Sequence, residues 1–404
     1  MKKLIGLASG TPSYDNWQEA TRLLDAMPPE EQAEAVLAFE AASSHWPTAL
    51  DPWTGMTLAP GQELRRSPPH WVKEVYSGQH APKHALVRIL ESPRRPMSGQ
   101  KLENLLAPEA QVTRARQVGF DQAKVSGGFL KALKGDGVWR RWRALRLWTC
   151  DLKAPALKLL GAAELSSLEM LNLEQNRMGE AGLAGLAKAP GLSALTAVHL
   201  GSNALDASAL RALGAMPWSR QLTWLNLSYN PVYDVALDHL VHAGLPSLRT
   251  LDVSHTQVGL RGEAWAAGMP GLESLRLNNT AATDEGVAAL LPRLPALHSL
   301  SLDATQVGDA TARAIAEGPQ RWRALSLQST QLTAEGLGAM LRAPSLAEVE
   351  RLELGAGFDL ANAKLLIDGA CPRLKHLWWY GPEIGAGVEA AVRASPRLAA
   401  TLAY

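Results

Sequence analysis

The chain has 404 residues, 47% hydrophobic and 20% charged, with 40 Lys and Arg against 39 Asp and Glu and a formal net charge of +1. Such a composition is that of a globular chain and excludes a disordered one. The charge balance argues against nucleic acid or an anionic membrane as partner, since each needs a basic excess on one face. No apolar stretch is long enough to span a bilayer.

Residues 1–110 carry no repeat. The start imitates a secretory n-region, but its apolar run, Leu4 to Ala8, is shorter than an h-region, so the chain reads as cytoplasmic and bacterial in style. A helix is expected from Asp15, its N-cap, to Met27, with Trp17, Ala20, Leu23 and Leu24 along one face. Pro28 and Pro29 open a second helix over 30–44, whose apolar residues are Ala33, Val36, Leu37 and Phe39. The proline-rich stretch 46–69 reads as a packed loop holding Trp46 and Trp53, and short helices follow near 69–77, 82–91 and 98–107. This gives a helical N-terminal domain, 1–110, ahead of a second region, 111–404. Two readings of the domain stand side by side: a cap over an exposed apolar end, or a docking module presenting Trp17, Trp46, Trp53 and Trp71. His80 and His84, with His70 upstream, invite a metal site, but Pro82 separates the pair and no acidic residue or cysteine completes a ligand set, so surface histidines are the better reading.

From about residue 115 the chain repeats itself. Leu222, Leu225, Leu227 and Val232, with Asn230 between the last two, spell L-x-x-L-x-L-x-x-N-x-L. The first position recurs at Ala115, Trp142, Leu168, Leu195, Leu222, Leu248, Leu272, Leu297, Trp322, Val349 and Leu374, at steps of 24 to 27 residues, with a worn copy at Leu398. Positions 1, 4 and 6 are apolar and point into a core, while 3, 5 and 7 point to the other face of a strand. Position 9 turns the chain inward and must satisfy buried backbone groups. It is Asn at Asn176, Asn203 and Asn230, Thr at Thr256, Thr280, Thr305 and Thr330, and Cys at Cys150. A short helix follows each strand, N-capped by Asp206, Asp234, Thr283 or Thr333. The copy at Val349 departs most, with Gly357 at the turn and one residue inserted around Phe358, Asp359 and Leu360.

These residues resemble the leucine-rich repeat family, in its ribonuclease-inhibitor-like and cysteine-containing subtypes, over roughly 115–404. The resemblance implies an α/β fold: a right-handed solenoid of about 11 repeats with a parallel concave sheet and helices on the convex side. It does not imply a function. The two cysteines, Cys150 and Cys371, stand eight or nine strand steps apart, about 40 Å, and cannot pair.

Function is read from the outward strand positions. Asp252 at position 5 is expected beside Asn226 and Arg276, flanked by His199, Trp224, Tyr229, His255 and Asn278. Aromatic and Arg side chains gathered in a polar concavity are what recognition hot spots use. A secondary patch comprises Arg351, Glu353, His376, Trp378 and Tyr380. His199, Asp252 and Ser228 or Ser254 include the residue types of a hydrolytic triad, but an open strand surface supplies neither oxyanion hole nor nucleophile elbow. Gly385-x-Gly387-x-x-Ala390 falls in the last full repeat rather than in a dinucleotide loop. The expectation is a non-catalytic module that binds a protein or peptide and takes no cofactor. The alternative is an enzyme, or an accessory protein recruiting substrate, whose activity lies in the N-terminal helical domain.

Overall fold

The computed structural model describes residues 1–10, 14–43, 71, 89–91, 116–135, 137–187, 189–242, 244–260, 267–355, 357–379 and 386–399. The chain forms two compact units, Met1–His199 and Leu200–Tyr404.

The first unit opens with helices Lys2–Ser9, Tyr14–Asp25 and Pro29–Ala42, the first packed on the other two. The run Leu4 to Ala8 thus belongs to a helix whose Leu4 and Ala8 are buried. Trp17, Ala20 and Leu24 are buried as expected. The third helix uses another face: Gln32, Ala35, Val36 and Phe39 are buried, whereas Ala33 is exposed and Leu37 is 62% exposed. Trp71 packs edge-on against Trp17, and its indole N–H donates to Asp25 Oδ1 at 2.7 Å. Trp17 and Trp71 are therefore core residues and present no docking surface. Trp46, Trp53, His70, His80 and His84 lie outside the described residues.

Five parallel strands complete this unit: β1 (Ile89–Glu91), β2 (Gln117–Asp121), β3 (Ala144–Trp148), β4 (Met170–Asn172) and β5 (Ala197–His199). β1 corrects the helix expected to run to residue 91. The edge of β2 offers unpaired backbone groups, and the extended segment 89–91 takes them up, with Leu90 opposite Val118. The sheet therefore begins upstream of the expected boundary.

The second unit holds β6 (Trp224–Asn226), β7 (Thr250–Asp252), β8 (Ser274–Arg276), β9 (Ser299–Ser301), β10 (Ala324–Leu327), β11 (Arg351–Leu354) and β12 (His376–Trp379), all parallel and in sequence order. Every strand from β2 onward starts at position 3 of its repeat, and the register joins equal positions. Leu225, Leu251, Leu275, Leu300, Leu325, Leu352 and Leu377 line up at position 4, all buried. Short helices follow the strands and pack on one another in sequence, for example Asp284–Leu290 on Asp309–Glu317 and Asp309–Glu317 on Ala334–Leu341. This strand–turn–helix repetition, with leucine inside and Asn or Thr at the turn, is a leucine-rich-repeat architecture.

The turns hold the coils together in two ways. Asn230 Oδ1 accepts the N–H groups of Asn203 (2.9 Å) and Leu205 (3.0 Å) in the preceding coil, while its Nδ2 donates to Leu200 O and Leu227 O. Asn176 does the same for Cys150, Leu152, Leu147 and Leu173. The threonines reach only within their own coil: Thr256, Thr280 and Thr305 each donate to the carbonyl three residues earlier, at 2.6–2.7 Å. Aspartates at helix starts also bridge coils, after the threonine turns Thr280 and Thr305 and after the asparagine turn Asn230. Asp284 Oδ1 accepts Gly308 N and Thr311 N, and Asp309 accepts Thr333 N. Asp234, expected as an N-cap, belongs to this second group, since it is the first residue of its helix and accepts Gly259 N and Leu260 N of the next coil. Asp206, Thr283 and Thr333 are N-caps as expected.

The turn between strand and helix in the β11 coil is one residue shorter than in the coils before it rather than longer. Phe358 fills the buried position that other coils reach one residue later, and it packs against Trp379, while Leu360 is 41% exposed. Asp359 caps its helix correspondingly early. Gly357 makes the tighter turn at φ +88°, where a Cβ would fall 2.7 Å from Leu332 O. At the far end Leu398 is buried in the helix Pro396–Ala399, and the Arg397 guanidinium donates to the carbonyls of Leu366, Ala370 and Cys371.

Candidate functional site

In the second unit, strand register brings the nominated residues together. Asn226, Asp252, Arg276 and Ser301 occupy successive rows at position 5, and Trp224, Thr250, Ser274 and Ser299 do so at position 3. The Arg276 guanidinium lies 3.8 Å from Asp252 Oδ2 and 5.9 Å from the Trp224 ring centre. One cation is thus shared between a carboxylate and an indole face on three consecutive strands, an arrangement that restricts the long arginine stem. Asp252 Oδ1 also accepts Ser254 N at 2.9 Å, and Asn226 Oδ1 accepts Ser228 N at 2.8 Å. Asp252 is therefore engaged by an arginine and a backbone amide.

Tyr229 and His255 stand at position 8 of adjacent coils, both in the left-handed region at φ +56° and +57°. That conformation turns each amide toward the next coil, where Tyr229 N meets Ser254 O and His255 N meets Asn278 O. The two rings stack with centres 3.9 Å apart, leaving Tyr229 58% exposed at the end of the strands. Asn278 closes the group, its Oδ1 accepting from Ser301 Oγ and Asp303 N. His199 departs from expectation. It lies in the first unit, is 1% exposed, and has Glu174 Oε1 4.0 Å from its Nδ1, so it offers no contact surface.

The secondary patch is carried by β11 and β12, where Arg351 faces His376 and Glu353 faces Trp378. Trp378 is 41% exposed, and Tyr380 lies outside the described residues. Sequence reasoning passed over what lies beside this patch. Asp303 Oδ1 accepts from Ser326 Oγ (2.6 Å) and Gln328 N (2.8 Å), and Glu353 Oε2 accepts from Gln328 Nε2 (2.8 Å) and Ser326 Oγ (3.2 Å). Burial pushes the Asp303 carboxyl up, and the charge of Glu353 adds to the shift against the opposing hydrogen bonds. Also passed over was the buried ion pair of the first unit, Arg146 with Asp121, in which Arg146 Nε meets Oδ1 at 2.8 Å and Nη2 meets Oδ2. The signal for it was present in the sequence as opposite charges at positions 5 and 7 of adjacent coils.

Neither thiol is poised for chemistry. Burial pushes Cys150 up to about 12 and Cys371 up to about 11. No helix among the described residues is long and apolar enough to cross a membrane.

No protein-family model matches the chain, and no curated protein sequence matches it. Among solved structures, an internalin from Listeria monocytogenes is similar at 14% sequence identity, over 75% of this chain and 72% of that one, with a TM-score of 0.42.

Proposed function

We propose that the chain is a non-catalytic recognition protein that binds a protein or peptide on the sheet face of its second unit, acting as an adaptor. The single observation that carries this reading is the Trp224–Arg276–Asp252 arrangement, an aromatic and an arginine fixed against each other on a rigid strand surface. Tryptophan and arginine dominate binding energy at interfaces because each buries a large contact area while keeping directed polar groups. The stacked Tyr229 and His255 extend the contact area to the strand ends. The helices ahead of the sheet then serve chiefly as a cap, since the placed tryptophans, Trp17 and Trp71, are spent on their own core.

The test is affinity for a partner captured by the immobilised full chain and identified by mass spectrometry. Trp224→Ala and Arg276→Ala are each expected to weaken binding about thirtyfold, the equivalent of about 2 kcal/mol, without unfolding the chain. Asp252→Asn removes the counter-charge alone, and the double variant with Arg276→Ala shows whether the two act as a unit. Glu285→Ala and Arg313→Ala, exposed on the helices, are the controls. Loss of binding in the controls with none in the sheet-face variants would remove the site from this face.

A further inference from the structure

We propose that the sheet face spanning β9 to β12 docks a basic segment of the partner, with Asp303 and Glu353 as counter-charges and Trp378 as the surface on which a lysine or arginine side chain lies. This inference deepens the recognition reading and rests on it.

The argument starts from how the other sheet-face carboxylates are treated. Asp121 carries Arg146, Asp252 carries Arg276, and Glu174 has His199 Nδ1 at 4.0 Å. Among the described residues Asp303 and Glu353 have no such partner. Their donors are the Ser326 hydroxyl, the Gln328 amide groups and, for Asp303, a longer contact from Ser301 Oγ. Among the described residues no lysine or arginine lies within ion-pair distance of either. Ser326 Oγ lies 2.6 Å from Asp303 Oδ1 and 3.2 Å from Glu353 Oε2 and has one hydrogen to share between them, so two negative charges are held close together and partly out of water. Neutral hydrogen bonds offset part of that cost but leave the charge uncompensated. A partner cation supplies what the fold omits.

The second observation is independent of the acids. Trp378 stands opposite Glu353 in register on the next strand, with rows about 4.8 Å apart, and keeps 41% of its surface in solvent. An exposed indole beside carboxylates suits an alkylammonium or guanidinium group, whose stem lies on the ring while its head meets the oxygens. It does not suit a divalent metal, and no group of three or more metal-type ligands occurs among the described residues. Arg351 and His376 face each other one outward position earlier, so they confine the acidic surface to positions 5 and 7 and oppose a cation approaching from that end.

The experiment uses the full chain and labelled peptides of one length made of Gly-Lys, Gly-Arg, Gly-Glu or Gly-Ser repeats, read by fluorescence anisotropy at low salt. The Gly-Lys and Gly-Arg peptides should bind and the other two should not. Glu353→Gln, Asp303→Asn and Trp378→Ala should each weaken the Gly-Arg peptide by about tenfold, with melting temperatures near that of the parent. Glu285→Ala, exposed on a helix, should leave it unchanged. No binding of either basic peptide, equal binding of the Gly-Glu peptide, or unchanged affinity in the three variants overturns the proposal. So does saturable binding of calcium ion alone that displaces the Gly-Arg peptide. If Trp224→Ala loses the captured partner while Glu353→Gln keeps it, recognition by the sheet stands and the basic segment does not.

Discussion

Two kinds of turn divide the repeat coils, and they solve one problem by different chemistry. An asparagine turn carries both acceptor and donor, so Asn230 ties its own coil and the coil before it with a single side chain. A threonine turn has one hydroxyl, which Thr305 spends on Leu302 O. The tie between coils then moves four residues along the chain to the helix starts, where Asp284 and Asp309 reach the next coil. The difference teaches that the turn residue alone does not set how firmly a coil is held. What matters is whether every buried backbone group between coils finds a partner.

The largest expected effect is at Asn230. Asn230→Ala strips partners from buried amides of Asn203 and Leu205 and from two carbonyls, and should cost about 3 kcal/mol or more in denaturant unfolding. Thr305→Val removes one hydroxyl bond at nearly constant volume and should cost about 1 kcal/mol. Equal losses at the two sites would abolish the distinction between the turns.

The next effect lies at the aspartate ties. Burial alone would raise the Asp284 carboxyl, but hydrogen bonds from Gly308 and Thr311 together outweigh it and hold the group below the usual carboxylate range. A lowered folded-state pKa gives stability that is present above the unfolded value and is lost as pH falls through the folded one. Asp284→Ala should cost about 1–2 kcal/mol at neutral pH, and Asp284→Asn should flatten part of the decline in melting temperature on acidification. An unchanged acid limb in Asp284→Asn would show that the carboxylate is not what bridges those coils.

The smallest effect has the opposite sign. The Asp303 pKa is raised, so the carboxylate carries a cost that is present above the folded value and disappears below the unfolded one. Asp303→Asn keeps an oxygen for Ser326 and Gln328 and should raise the melting temperature slightly at neutral pH, with the gain vanishing in acid. A fall at neutral pH would mean that a cation already neutralises Asp303.

Much of this was legible because the repeat fixes register. Once Leu222, Leu225 and Leu227 are placed, Asp252 must fall between Asn226 and Arg276, as it does. What escaped the sequence depends on reach and depth. His199 occupies an outward position, yet it is buried, which position alone does not reveal. Asp234 has the residue type of an N-cap, but it sits one place inside the helix and bonds to the next coil. The turn of the β11 coil was misjudged because Phe358 and Leu360 are equally apolar on paper, and only packing against Trp379 decides between them. Strand β1 lies outside the repeat, and its pairing partner, not its own sequence, makes it extended.

Recognition by the sheet face is tested most directly by hydrogen exchange of the full chain with and without its captured partner. The account predicts added protection in 224–230, 250–256 and 274–280, where Trp224, Tyr229, Asp252, His255 and Arg276 lie. Protection confined to the helices at 284–290 and 309–317, or to residues 2–42, would contradict it.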